Sequence, residues 1–164
     1  MSKYTEITEW LARCPQLATL WNISAEQTAG ANVLLPQGAS TRRTMTERTD
    51  ITGAYDCDIT PTSSVYEDYQ INCYRQFAAN ANEYNIMNLD DVQAVCDWII
   101  ERDEALDFPA VTGRKIFAID VLPFCPQIRG IDDDTGLIAY YITMRIYYVN
   151  TAKQRSVHID GDEL

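Results

Sequence analysis

Residues 137–149, LIAYYITMRIYYV, constrain the fold of this chain more than any other stretch. Taken two at a time, Ile138, Tyr140, Ile142, Met144, Ile146 and Tyr148 fall on one side. Ala139, Tyr141, Thr143, Arg145 and Tyr147 fall on the other. An unbroken period of two across β-branched and aromatic residues predicts a long strand. One side must lie on a core while the other stays partly wet, as an antiparallel sheet allows. Such a strand needs partner strands beside it and a second layer over its apolar side.

Candidates for both are present. Residues 65–77, VYEDYQINCYRQF, alternate in the same way. Val65, Tyr69, Ile71, Cys73 and Phe77 share one side, and Tyr66, Asp68, Gln70, Asn72, Tyr74 and Gln76 share the other. Residues 116–128, IFAIDVLPFCPQI, predict a third strand. Pro123 and Pro126 each remove a ladder donor, so its second half must lie at an edge or bend away. The polar run RGIDDDTG then turns the chain into 137–149, which makes these two strands a hairpin and the backbone of the sheet.

Two helices can supply the covering layer. Tyr4, Ile7, Leu11 and Cys14, with Trp10 alongside, form one amphipathic face, and Pro15 ends it. Residues 88–104 predict the second helix. Asn88 is its expected cap with Asp91 in the reciprocal position, and Asp90 and Asp91 suit the positive end of the dipole. Leu89, Val92, Val95, Cys96, Ile99 and Ile100 form its expected buried stripe. Glu101, Asp103 and Glu104 leave an acidic outer end before Phe108 and Pro109 stop it.

Between these elements the pattern thins. Residues 21–38 read as a hairpin turning at Ala29 and Gly30, although Ala25 and Glu26 would suit a helix as well. Residues 38–64 are rich in Thr and polar groups, and predict two thin strands, 41–51 and 55–60, turning at Gly53. Arg42, Arg43 and Arg48 concentrate positive charge there. A hairpin with so little apolar area cannot hold itself folded. Either it projects and is ordered by a partner, or it is a solvated loop. The expected class is therefore α+β, a single antiparallel sheet with two helices on one face and a projecting Thr/Arg-rich hairpin. Residues 1–150 form one domain and 151–164 an acidic tail.

Charge narrows the partners. With 13 basic against 24 acidic residues, the formal net charge is −11. Nucleic-acid affinity rests on Lys and Arg neutralising phosphates, so sequence-specific nucleic-acid binding is not expected. Anionic membranes would repel the chain. MSKYTEITEW has no apolar run of the signal-peptide kind, and no stretch reaches the length of a membrane helix, so a cytoplasmic protein is expected.

No catalytic constellation emerges. His158 is the only histidine and cannot build a triad or a histidine metal site alone. The five cysteines include no C-x-x-C pair, and Cys73 and Cys96 sit at apolar-periodic positions as small hydrophobes. Asp132, Asp133 and Asp134 lack the alternation, central glycine and terminal glutamate of a calcium loop, and read as a charge-blunted hairpin tip. Phosphate-binding loops and a nucleophile elbow are absent from the sequence. The chain is expected not to be an enzyme and to use no metal or cofactor. Its ten tyrosines say more. Tyr66, Tyr74, Tyr141 and Tyr147 fall on polar strand faces, where they either pack under the helices or meet another protein.

The order of elements resembles a known family. The amino-terminal helix ending in CP, the aromatic strand DYQINCYRQFA, the helix DVQAVCDWI and the terminal pair GRKIFAIDVLPFCPQIRGIDDDTGLIAYYITMRIYYV are similar to small neck and tail proteins of tailed bacteriophages. The likeness, over about residues 3–150, is to the tail terminators of siphophages and prophages of Gram-positive bacteria. It implies a structural virion protein, made in the host cytoplasm and placed at the head–tail junction. Such a protein forms a homo-oligomeric ring, a hexamer in the family. It caps the tail tube protein and meets the connector or stopper on the head side, without catalytic residues. A head-completion or other minor tail protein is the near alternative, and a small acidic enzyme or inhibitor the alternative from another class. Contacts with neighbours are expected at the cationic Arg42, Arg43, Arg48 and Arg129, at the acidic Asp132, Asp133 and Asp134, and on the face of Tyr141, Arg145 and Tyr147.

Overall fold

The computed structural model of the chain describes residues 2–22, 29–40, 44–46, 60–62 and 65–150. In chain order the elements are α1 (Lys3–Leu11), a short 3-10 helix (Pro15–Leu17), β1 (Leu20–Asn22), β2 (Asn32–Ser40), β3 (Thr44–Thr46) and β4 (Thr60–Thr62). There follow β5 (Val65–Gln76), α2 (Asn82–Glu104), β6 (Arg114–Val121), β7 (Gln127–Asp132) and β8 (Leu137–Asn150). The main sheet runs β1-β2-β5-β8-β6, and β7 also pairs with β8.

The long alternating stretch is β8, at the heart of this sheet. All of Ile138, Tyr140, Ile142, Met144, Ile146 and Tyr148 are buried, while Ala139, Tyr141, Thr143, Arg145 and Tyr147 are half-buried. Along one edge it pairs antiparallel with β5, from Val65 opposite Tyr148 to Gln76 opposite Leu137. Directly opposed residues point to the same side, so β5 matches its buried parity to that of β8. Both helices pack on that side and join one apolar core with it. The result is an α+β fold, an antiparallel sheet with two helices on one face.

The other edge of β8 is shared. Residues 116–128 do not form one strand: β6 pairs with the last half of β8 and β7 with its first half. Pro123 and Pro126 have no N–H to give, and the chain leaves the ladder between them, as their position led one to expect. Register slips at Ile116/Ala118 and at Ile128/Gly130, where Gly130 has φ 138°, mark a bulge in each strand. The hairpin into β8 closes through Gly136 at φ 68°, where a side chain would also press on Gln76.

Four further expectations need correction. The helix α1 ends at Leu11, and Pro15 instead opens the 3-10 helix, where its missing N–H costs nothing. Cys14, beyond the helix, is still fully buried. Residues 21–38 are not a hairpin: β1 runs parallel to β2, Leu20 beside Asn32. The Asn32 side chain holds that edge by donating to the Thr19, Gln16 and Gly30 carbonyls. The helix α2 starts at Asn82 and has no side-chain cap. Asn88 sits inside it and donates to the Gln76 carbonyl at 2.7 Å, while Asp91 pairs with Arg75 at 2.9 Å. Finally, Val92, Val95, Cys96 and Ile99 are buried as expected, but Leu89 and Ile100 are 38% and 43% exposed. On a helix these two lie about 60° and 80° round from Val92, outside the covered stripe.

The strands β3 and β4 pair antiparallel, Thr44 opposite Thr62 and Thr46 opposite Thr60. The turn between them, the residues Arg42, Arg43 and Arg48, and the tail 151–164 lie outside the described residues.

Candidate interaction surface

The candidate site is the sheet face turned away from the helices. It is built by the polar parity of β5 and β8. Asp68 and Arg145 are direct cross-strand neighbours. Arg145 donates through Nε to Asp68 Oδ1 at 2.8 Å and through Nη2 to Oδ2 at 3.0 Å. This two-pronged pairing fits the planar guanidinium to the carboxylate. The same guanidinium lies 4.0 Å from the Tyr66 ring centre. The Tyr66 and Tyr147 rings stand 5.9 Å apart, and Phe117 lies 6.1 Å from Tyr147. Donating these hydrogen bonds to the Asp68 carboxylate raises the Arg145 pKa above its ordinary value, keeping it charged. Both side chains remain partly accessible, 26% for Arg145 and 20% for Asp68.

At the other end of this face the β7–β8 hairpin frames an open hollow of roughly 600 Å³. Tyr74, Tyr141, Arg129 and the carboxylates of Asp132, Asp133 and Asp134 line it. The Arg129 guanidinium lies 4.9 Å from the Tyr141 ring centre. The tip is shaped from within, since Asp132 Oδ1 accepts the Asp134 N–H at 2.9 Å. Among the described residues no group of three or more His, Cys, Asp or Glu gathers to hold a metal. Aromatic planes beside fixed positive and negative charges suit contact with another protein surface, where Tyr and Arg concentrate.

The structure thus brings Arg129, Asp132, Asp133, Asp134 and Tyr141 together at the hollow and places Arg145 and Tyr147 on the same face. Helix packing, one of the two readings of that face, falls away, because both helices lie on its reverse. The sequence reading left Asp68 and Phe117 out of the surface. Asp68 was assignable to the polar face by parity alone, but its pairing with Arg145 needs the strand register. Phe117 sits at the bulge of β6, which breaks the alternation that would have placed it.

Charges on the covered face behave differently. Glu67 and Arg75 share the buried parity of β5 and are only 6% and 7% exposed. Glu67 accepts from Arg114 at 2.6 Å, Lys3 at 2.8 Å, Tyr148 at 3.1 Å and Tyr69 at 2.5 Å. Burial alone would push its carboxyl up, yet the donors Lys3, Tyr69 and Arg114 outweigh it and hold the pKa at about 2. Arg75 binds Asp91, the Asn32 side chain and the Gln16 and Tyr74 carbonyls, tying β5 to α2 and the 3-10 helix. Burial lifts the Cys73 and Cys96 thiols to about 12, which leaves them unreactive fillers of the core.

No family model and no curated protein matches the chain. Among the described residues no helix is long and apolar enough to cross a membrane.

Proposed function

We propose that this chain is a structural virion protein of the tail-terminator kind. It assembles through the helix-free face of its sheet into a homo-oligomeric ring, a hexamer if it follows the family it resembles. The ring caps the tail tube and joins it to the head-side connector. The observation that carries this reading is the row of Arg145, Tyr66, Tyr147 and Phe117, aromatic and cationic groups left half-buried or exposed on a face with no described helix over it. Large rings and a paired guanidinium lose little conformational freedom on binding, which is why such residues dominate protein contacts. A closed ring needs one patch to meet a different patch on the next copy. The opposed Arg129 and Asp132–Asp134 charges around the hollow supply complementary signs for such a contact.

Negative-stain microscopy of the purified chain, alone and mixed with tail tubes, tests the proposal. It predicts rings, free or seated on tube ends, and tubes that no longer elongate. A chain that stays monomeric with tubes present, and leaves their growth unchanged, would overturn it.

A further inference from the structure

Among the described residues β3 and β4 pair only with each other, yet they keep the register of the main sheet. In the last pairs of β2 with β5, Gly38 faces Asp68, Ala39 faces Glu67 and Ser40 faces Tyr66. Further on, Thr44 faces Thr62, Met45 faces Pro61 and Thr46 faces Thr60. From Gly38 to Thr46 each step forward on one strand is matched by one step back on the other, so β3–β4 prolongs the β2–β5 ladder in phase. The neighbouring strand stops short of it. Tyr148 of β8 already faces Val65, and β8 ends at Asn150, opposite Arg114 at the start of β6. The ribbon thus runs beyond the end of the sheet with no described strand at its side. Two three-residue strands of Thr, Met and Pro bury too little to hold themselves folded in water.

Arg42 and Arg43 stand between β2 and β3 in the sequence. The hollow of the β7–β8 hairpin has the opposite sign, with Asp132, Asp133 and Asp134 against Arg129, which is turned on the Tyr141 ring. It lies at the other end of β5, against Tyr74. Tyr66, which faces Ser40, is eight residues from Tyr74, roughly 27 Å along an extended strand. Three residues of chain reach only about 10 Å from Ser40, well short of the hollow even with a side chain added. Arg42 and Arg43 can therefore enter the hollow of another copy but not their own. All six residues of β7 are exposed, and no described strand lies beyond its outer edge, which leaves backbone groups there for an incoming strand. We propose that the hollow receives the arginine-bearing start of β3 from a second copy. Carboxylates beside tyrosine rings suit guanidinium groups in charge and in shape, and the ribbon gains the cover it lacks. The contact joins different parts of two copies, so it runs head to tail and closes into a ring where the rotation permits. It rests on the homo-oligomer proposed above and names the parts that meet.

Two charge-reversed full-length chains test it, one carrying Arg42→Glu with Arg43→Glu and the other Asp133→Lys with Asp134→Lys. Sedimentation velocity and negative-stain microscopy, with and without tail tubes, read assembly. Each variant alone should need about tenfold more protein than the parent to assemble. Mixed in equal amounts, the two should assemble as the parent does, because native ribbons then meet native hollows and reversed ribbons meet reversed hollows. A misfolded variant could not be rescued in this way. With p-benzoylphenylalanine in place of Thr44, and isotopically labelled and unlabelled chains mixed, photocrosslinks should join the ribbon of one copy to residues 129–134 of another. Assembly untouched by either reversal, no rescue on mixing, or crosslinks to a different surface would overturn this contact while a homo-oligomer stands. A parent chain that stays monomeric with tubes present would overturn the homo-oligomer itself, and this contact with it.

Discussion

Glu67 and Asp68 are neighbours in one strand, and each pairs with an arginine, but they lie on opposite faces of the sheet. Glu67 is under the helices, its carboxylate satisfied by Lys3, Arg114, Tyr69 and Tyr148. Asp68 is on the helix-free face, paired with an Arg145 that is still a quarter accessible. The same chemistry does two jobs. Under the helices it ties α1, β5, β6 and β8 together around a carboxylate that is only 8% exposed and depends on its donors in place of water, although Lys3 and Arg114 themselves stay partly accessible. On the other face the pair lines up arginine and aromatic rings at little structural cost, and among the described residues it stays partly accessible.

The largest effect should come from breaking the covered side. Glu67→Ala strands Lys3 and Arg114 and two tyrosine hydroxyls, and urea denaturation should show a loss of about 3 kcal/mol. An effect no larger than that of a surface substitution would dissolve the distinction between the faces.

Acid should sharpen it. The Glu67 carboxyl is held at about 2 against an ordinary 4.5, so it binds a proton more readily in the unfolded chain than in the folded one. Its contribution to stability is therefore complete above pH 4.5 and is lost as pH falls from there towards 2. Glu67→Gln should be less stable than the parent at neutral pH, and the gap should close across this window in acid titrations followed by circular dichroism. A gap that stays constant would mean that the charge of Glu67 contributes nothing.

The smallest effect belongs to the open face. Asp68→Asn or Arg145→Met should cost no more than about 1 kcal/mol in the same urea experiment, as expected of a partly solvated pair. Ring formation should nevertheless fail for Arg145→Glu combined with Tyr147→Asp. Normal assembly by that variant would remove the face from the interface.

How far the sequence could be read follows from the same two faces. Strict alternation made β8 and most of β5 legible, together with which residues turn inward, and the helical spacing of Ile7 and Leu11 placed α1. The α+β class followed from those elements. Glu67 and Arg75 went unremarked because polarity masked their parity, although charged residues at inward positions are themselves a sign of a paired network. The start of α2 was hidden because Ala81 is no capping residue, while Asn88 and Asp91 resemble a cap and spend their side chains on Gln76 and Arg75 instead. The parallel run of β1 beside β2 depends on Asn32 collecting three carbonyls, which no local pattern announces. On the candidate surface the residue types were readable, but the pairing of Asp68 with Arg145 depended on register.

The claim that the helix-free face is the assembly surface can be tested directly by hydroxyl-radical footprinting of the chain free and bound to tail tubes. The account predicts that Tyr66, Phe117, Tyr141 and Tyr147 lose reactivity on assembly while Tyr84 and Met87, exposed on α2, keep theirs. Protection of Tyr84 and Met87 with no change at Tyr66, Phe117 and Tyr147 would contradict it.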